Sequence, residues 1–168
     1  MSDPPSPNEL GILARRKIEA GIIKPIYDEM RNAIGEEKAR EILRKAIRRA
    51  AIAAGAEMAA RAPGQADLES FKAIQPLWTK GDALTIEVLA DAPGVFDFNV
   101  TRCRYAETYR AMGLGDIGDL ISCNRDGTFC EGYDPRIKLT RTQTIMGGAS
   151  HCDFRYRAAP DEAAKQKG

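Results

Sequence analysis

The stretch "LTIEVLADAPGVFDFNVT" (residues 84–101) decides the fold, because apolar residues occupy every second position on both sides of a turn sequence. The alternating apolar residues are Leu84, Ile86 and Val88, followed by Phe96, Phe98 and Val100. A period of two is typical of half-buried strands. The intervening "DAPG" (residues 91–94) has the composition of a tight connection. The stretch therefore predicts an antiparallel β-hairpin.

The chain before Trp78 has the helical period instead, with apolar residues at steps of three or four. The first apolar stripe is Leu10, Leu13, Ala14, Ile18 and Ile22; the second is Ala39, Ile42, Leu43, Ala46, Ile47 and Ala50. Residues 6–9 ("SPNE") fit a capping box, Pro25 predicts a kink, and Gly35 separates the two helices. These patterns predict an N-terminal helical layer.

The rest of the chain adds short elements of both kinds. Short helices are predicted over residues 104–112 and 116–123, and two further strands over 137–145 and 152–156. The glycine- and proline-containing stretch "SCNRDGTFCEGYDP" (residues 122–135) predicts a turn-rich loop.

The sum is an α+β fold, in which an N-terminal helical layer packs on an antiparallel sheet of about four strands with short helical insertions. A disordered N-terminus (1–7), one α+β domain (8–157) and a frayed tail (158–168) complete the predicted organisation.

Composition excludes several classes of function. The 168 residues include 25 basic and 24 acidic ones, so nothing indicates a nucleic-acid or membrane partner. A single histidine excludes a metal cage built from several imidazoles. Neither a signal peptide nor a membrane span is visible, so we expect a cytoplasmic protein with mostly reduced cysteines.

The four cysteines leave several interpretations open. Strict alternation places Cys103 on the polar face of its strand, and places His151 opposite its neighbour Cys152, which disfavours a dyad of these two. Cys123 is predicted at the C-terminal end of a helix, where the dipole raises a thiol pKa. The thiols are candidates for ordinary core packing, for a nucleophile, or for a zinc or other thiophilic metal site without the usual paired spacing.

Three segments resemble the L-2-amino-thiazoline-4-carboxylic acid hydrolase family. They are "FNVTRCRYAETYRAMG" (98–113), "DIGDLISCNRDGTF" (116–129) and "YDPRIKLTRTQTIMGGASHCDFRY" (133–156). The family pattern is T-R-C followed by an aromatic residue and A-E, then C-x-x-D, R-T-x-T and G-x-x-x-C-D-F. It falls here on Cys103, Cys123, Asp126, Arg141, Thr142, Thr144, Gly148 and Cys152–Phe154, whereas Cys130 lies outside it.

The resemblance implies a hydrolase that opens a C–N or C=N bond in a small cyclic carboxylate, thiazoline- or lactam-like. Such chemistry needs a nucleophile, an acid and an anchor for the carboxylate. The catalytic candidates are Cys103, Cys123, Asp126 and Cys152; the substrate-binding candidates are Arg102, Arg141, Thr144, His151 and Asp153.

Cys103 is the first choice of nucleophile, because the start of the 104–112 helix would lower its pKa. The resemblance implies no cofactor. The alternatives are a non-catalytic ligand-binding module, and a thiolate–metal protein using Cys103, Cys123 and Cys152. A homo-oligomer through the N-terminal helices is a further expectation.

Overall fold

The computed structural model describes residues 10–159. The predicted capping box at residues 6–9, the predicted disordered start and nearly all of the predicted tail lie outside the described residues. The helices are α1 (Ile12–Ile34), α2 (Glu36–Ala59), α3 (Leu68–Ile74), α4 (Pro76–Thr79), α5 (Arg104–Ala111) and α6 (Asn124–Tyr133). The strands are β1 (Leu84–Ala92), β2 (Val95–Cys103), β3 (Ile137–Thr140) and β4 (Cys152–Ala158). A 3₁₀ turn (Lys80–Asp82) precedes β1, and a π-helical turn (Asp119–Cys123) precedes α6.

The four strands form one antiparallel sheet in the order β1-β2-β4-β3. The predicted hairpin is confirmed, with Gly94 at φ 74° in its turn. The α+β class is confirmed as well. The predicted third strand is too long, since β3 ends at Thr140 and residues 141–149 form turns.

Helix α1 buries a different face from the predicted one. Ala20 and Tyr27 are buried in the core, and Leu13 packs partly against it, whereas Ile18 and Ile22 are exposed. The helix carries two apolar stripes, and the period alone cannot tell which of them meets α2 and α5. The stripe with the large aromatic Tyr27 is the buried one. The helix continues through Pro25 to Ile34.

Helix α2 packs on α6 so closely that both need glycine. Its buried residues are Ala39, Leu43, Ile47, Ala51 and Gly55, while Ile42 from the predicted stripe is exposed. A Cβ at Gly55 would lie 2.1 Å from the Phe129 carbonyl oxygen, and one at Gly132 would lie 1.9 Å from that of Ile52. The two backbones therefore touch directly, and this contact fixes the position of α6.

The predicted loop at residues 122–135 is wrong, because most of it is helix. The π-helical turn Asp119–Cys123 runs directly into α6, which ends at Tyr133. The glycines suggested a loop, but burial of Phe129, Cys130 and Tyr133 overrides their low helix propensity. Cys123 thus lies inside a helical run and not at its C-terminal end, and Asp126 lies in the first turn of α6.

Candidate functional site

A β-bulge decides where Cys103 points. Thr85 of β1 faces Arg102, but Ile86 already faces Val100, so Thr101 is an extra residue in β2. The bulge reverses the alternation. Cys103 therefore shares the inward face of Val100, and the expectation of a polar face is wrong.

Arg102 is turned outward by the same bulge and pairs at the surface with Glu107, their Nε and Oε1 atoms 2.8 Å apart. Arg102 does not line the cavity that lies between the helices and the sheet, and we do not assign it to substrate binding.

A cavity of about 280 Å³ lies between the helices and the inward face of the sheet. Cys103, Cys123 and Cys152 all line it, together with Asp126 and Arg141. Aromatic side chains supply much of the remaining wall: Phe71, Trp78, Phe98, Tyr105, Phe129, Phe154 and Tyr156. Cys130 is buried in the core against α2 and the sheet instead. The structure thus brings three thiols that are distant in sequence to one cavity, together with Asp126 and Arg141.

The thiols of the cavity are protonated at neutral pH. Burial raises the pKa of Cys103 to about 11, although the Ala106 N–H donates to its Sγ at 3.4 Å from the start of α5. Burial likewise raises the pKa of Cys123 and, despite an N–H of Ile145 that donates to its Sγ, that of Cys152. The helix N-terminus meets Cys103 as predicted, but desolvation outweighs it. The expected lowering of the Cys103 pKa is wrong.

Asp126 and Arg141 form an ion pair in the cavity wall. Arg141 Nη1 donates to Asp126 Oδ2 at 2.5 Å, and Nη2 donates to the Cys123 carbonyl oxygen at 3.0 Å. The Arg141 guanidinium also lies over the Phe154 ring, 4.9 Å from its centroid. Burial raises the pKa of Asp126 above its ordinary value, and the nearby arginines only partly oppose this. A carboxylate in such surroundings accepts a proton more readily than an exposed one does.

Two further arginines were missed by the sequence analysis. Arg16 Nη1 pairs with Glu19 Oε2 at 2.6 Å, and Arg125 Nη2 pairs with the same oxygen at 3.2 Å. Both arginines line the cavity, with side chains only 17% and 13% exposed. Two guanidinium groups share one carboxylate, so this part of the wall keeps one net positive charge. The only signal for Arg125 was its position beside Asp126 in "SCNRDG".

Three predicted substrate-binding residues, Thr144, His151 and Asp153, are absent from the described lining of the cavity and build the turns after β3. Asp153 accepts hydrogen bonds from the backbone N–H groups of Thr142 and Gln143, both at 2.9 Å, and from the Thr142 hydroxyl at 2.6 Å. These bonds outweigh the opposing effect of burial and lower the Asp153 pKa to about 2.

Thr144 Oγ1 accepts from the Gly147 N–H at 3.0 Å, and the His151 ring lies beside Gln143 and Ser150. The segment they hold follows directly on Arg141, so we assign Thr144, His151 and Asp153 to loop structure.

Within residues 10–159, no three or more His, Cys, Asp or Glu side chains are grouped so that they could hold a metal ion. In the same part of the chain, every helix is too short or too polar to cross a membrane.

Solved structures share the fold of this chain. The phenol-responsive sensory domain of the transcription activator PoxR with phenol matches 90% of this chain and 80% of its own, at 14% identity and a TM-score of 0.52. Trafficking protein particle complex subunit 3 from Naegleria fowleri, covalently bound to palmitic acid, matches 87% of this chain and 96% of its own, at 8% identity and the same TM-score. A search of curated proteins found no match.

Fold and site together define an α+β domain with a cavity between its helices and the inner face of its sheet. The family model for L-2-amino-thiazoline-4-carboxylic acid hydrolase matches residues 15–156. The chain therefore belongs to this family, as its cysteine-containing motifs predicted.

Proposed function

We propose that the protein hydrolyses a small cyclic carboxylate inside this cavity. The observation that carries the proposal is the combination of an aromatic wall with one carboxyl group of raised pKa and an excess of arginine. Pockets that bind small molecules are mostly apolar and contain a few polar groups that orient the ligand. The name of the family supplies the reaction class.

The carboxylate of the substrate binds to Arg16 and Arg125 in this proposal. Their shared partner Glu19 neutralises only one of the two guanidinium groups, so an incoming anion completes the charge balance. Guanidinium groups bind carboxylates through paired hydrogen bonds. Arg141 is a weaker candidate, because its charge is already balanced one to one by Asp126. We assign Arg141 to holding Asp126 in place.

Ring opening follows from the chemistry of a 2-amino-thiazoline. Water oxygen adds to the ring carbon that bears the amino group, and the C=N bond becomes a C–N single bond as the ring nitrogen takes a proton. The C–S bond then breaks, the carbon becomes a carbonyl, and the sulfur leaves as a thiol with the second proton of water. Asp126 takes one proton from the attacking water and passes it to the ring nitrogen; it then takes the second proton from the resulting hydroxyl group and passes it to the leaving sulfur. In a lactam-like substrate the C–N bond would break instead.

Water is a better nucleophile here than Cys103. With a thiol pKa of about 11, only about one Cys103 in ten thousand is a thiolate at pH 7. In this proposal the three thiols therefore form a neutral, polarisable part of the cavity wall that contacts the substrate ring. This replaces the expected role of Cys103 as nucleophile.

The test uses 2-amino-thiazoline-4-carboxylate, with the ring-opened product measured by mass spectrometry. Asp126→Asn should lower kcat at least ~100-fold while the substrate still raises the melting temperature of the protein. Arg125→Gln should raise KM at least ~10-fold with a smaller effect on kcat. Asp119→Asn is the matched control, because Asp119 lies exposed in the same helical run. Unchanged kcat in Asp126→Asn would contradict the assignment.

A second candidate is a ligand-binding module without turnover. It is favoured by the protonated state of all three cavity thiols and by the fold shared with a sensory domain that was crystallised with phenol. Stabilisation by the carboxylate without any product from the wild-type protein would identify it. Loss of this stabilisation in Arg125→Gln would still locate the binding site.

A further inference from the structure

Helix α1 carries an apolar stripe that no described residue covers. Ile18, Ile22 and Ile26 are 62%, 64% and 52% exposed, and they lie at steps of four on the side opposite Ala20 and Tyr27. Single exposed apolar residues are common on protein surfaces, but a row of three large ones on one helix face is typical of an interaction site.

The same face permits close approach of another helix. Gly21 lies next to the stripe, and a Cβ added there would meet nothing within 4 Å. An exposed glycine inside a helix is less favourable than alanine in isolation. Here it leaves room beside Ile22 for a second backbone.

Charged residues of opposite sign stand at the two ends of the stripe. Arg15 and Glu29 are each seven residues from Ile22, which places both on the same face of the helix. Both are exposed, and neither forms an ion pair within residues 10–159, whereas Arg16, Lys24 and Asp28 on other faces do. Among residues 10–159, the stripe therefore runs from an unpaired positive charge to an unpaired negative charge.

We propose that two copies of this chain form an antiparallel dimer through α1, with the two-fold axis at Ile22. Ile18 then packs on the partner's Ile26, and Arg15 pairs with the partner's Glu29, each contact occurring twice. The charges lie ~10 Å along the helix from the axis, so helices that cross at about 20° keep them within ~4 Å sideways of each other. A crossing of about 50° would separate them by ~8 Å.

A second copy fits this surface better than the terminal segments of the same chain. Residues 1–9 contain Asp3 and Glu9 but no basic residue to pair with Glu29. Residues 1–9 and 160–168 together contain one large apolar residue, Met1, which cannot cover three isoleucines. An antiparallel copy, in contrast, matches both the isoleucines and the reversed charge order.

Light scattering after size exclusion tests the dimer with the full chain. At about 100 µM the wild-type protein should have twice the 18.4 kDa chain mass; the high concentration is chosen because an interface built on one helix face is small, and interfaces under ~1,200 Å² are at the weak end of specific association. Ile22→Glu should give a monomer, since it places two carboxylates at the axis. Val88→Glu on the exposed part of β1 is the control and should leave the dimer intact.

An exchange of the charges at positions 15 and 29 distinguishes the antiparallel dimer from other modes of association. Arg15→Glu and Glu29→Arg should each weaken the dimer about tenfold, because each creates two like-charged contacts, and the double exchange should restore it. Arg15 also borders the cavity, but the mass measurement does not depend on ligand. A wild-type monomer at this concentration, a dimer that survives Ile22→Glu, or a double exchange that fails to restore association would overturn the proposal. Circular dichroism confirms that each variant is folded.

Discussion

Replacing Gly132 by alanine tests the contact that positions the candidate site. Gly132 lies on α6, and its added Cβ would meet the carbonyl oxygen of Ile52 on α2 at 1.9 Å. The obstacle is backbone on both sides, so no side-chain rotation can relieve it. To reach even 3.0 Å, which real Cβ atoms essentially require, the two helices must separate by about 1.1 Å.

The expected cost follows from two opposing effects. Alanine gains about 1 kcal/mol over glycine in a helix interior. A gap of about 1 Å forfeits a quarter to a half of the dispersion energy across the α2–α6 contact, and overpacking of this kind costs ~1–3 kcal/mol or more. With a cost at the upper end of that range, ~3 kcal/mol, and the alanine gain set against it, we expect a net loss of about 2 kcal/mol in the free energy of unfolding. For a chain of this length, this lowers the melting temperature by about 4–8 °C.

Gly127→Ala on the same helix is the matched control. Its added Cβ would first meet Leu139 at 3.9 Å, an ordinary contact. This variant should therefore be about 0.5–1 kcal/mol more stable than the wild type. Urea denaturation of the three proteins gives both differences under the same conditions.

The Gly132→Ala variant should also lose activity in its folded fraction, because α6 carries Asp126 and moves with the contact. A misplacement of about 1 Å can cost ~100-fold in rate. Stability equal to or above that of the wild type would refute the reasoning, since it would mean that α2 and α6 do not touch through their backbones.

Two further predictions concern ionisation. Iodoacetamide should label Cys103 slowly at pH 7–8 and faster only as the pH rises towards about 11, because burial raises its pKa; fast labelling at pH 7, located by peptide mapping, would contradict this. Asp153→Asn should lower the free energy of unfolding by about 1–2 kcal/mol at pH 7. The carboxylate has its pKa lowered from 3.8 to about 2, so its contribution is present above pH 3.8 and is lost as the pH falls through about 2. The difference between wild type and variant should therefore shrink in that range, and a constant difference would contradict the hydrogen-bond assignment.

The sheet was predictable because its signal is local. The alternation around residues 91–94 specifies the hairpin without reference to the rest of the chain. The α1 stripe was assigned to the wrong side for the opposite reason. Ile18 and Ile22 have the correct period, but burial depends on which elements pack against the helix, and this information is not local.

The candidate site was predictable in part. The motifs pointed to Cys103, Cys123, Cys152 and Asp126, which do line one cavity. Arg125 was missed because its segment was interpreted as a loop, and glycine composition gives no hint that Gly132 serves helix contact. Composition indicates only the intrinsic helix or loop preference of a segment, whereas the α2–α6 contact determines that residues 124–133 form a helix.

The bulge at Thr101 shows why strict alternation fails at this site. One extra residue moves Cys103 from the outer to the inner face of the sheet and sends Arg102 the other way. Nothing in the local sequence distinguishes a bulged strand from a regular one here, because both would bury the same apolar residues as far as Val100. The motif therefore identified Cys103 correctly as a cavity residue, while the geometric argument placed it on the wrong face.

Charge in the cavity favours water over a thiolate more strongly once substrate is bound. Asp126 raises the pKa of Cys103, of Cys123 and of Cys152, because a second negative charge beside it is unfavourable. A carboxylate bound at Arg16 and Arg125 consumes the excess positive charge of that wall. The bound state therefore disfavours a thiolate further, and it raises the proton affinity of the Asp126 carboxylate, which in this proposal takes protons from water and passes them on. A cysteine nucleophile, in contrast, would be weakest at the moment when it is required.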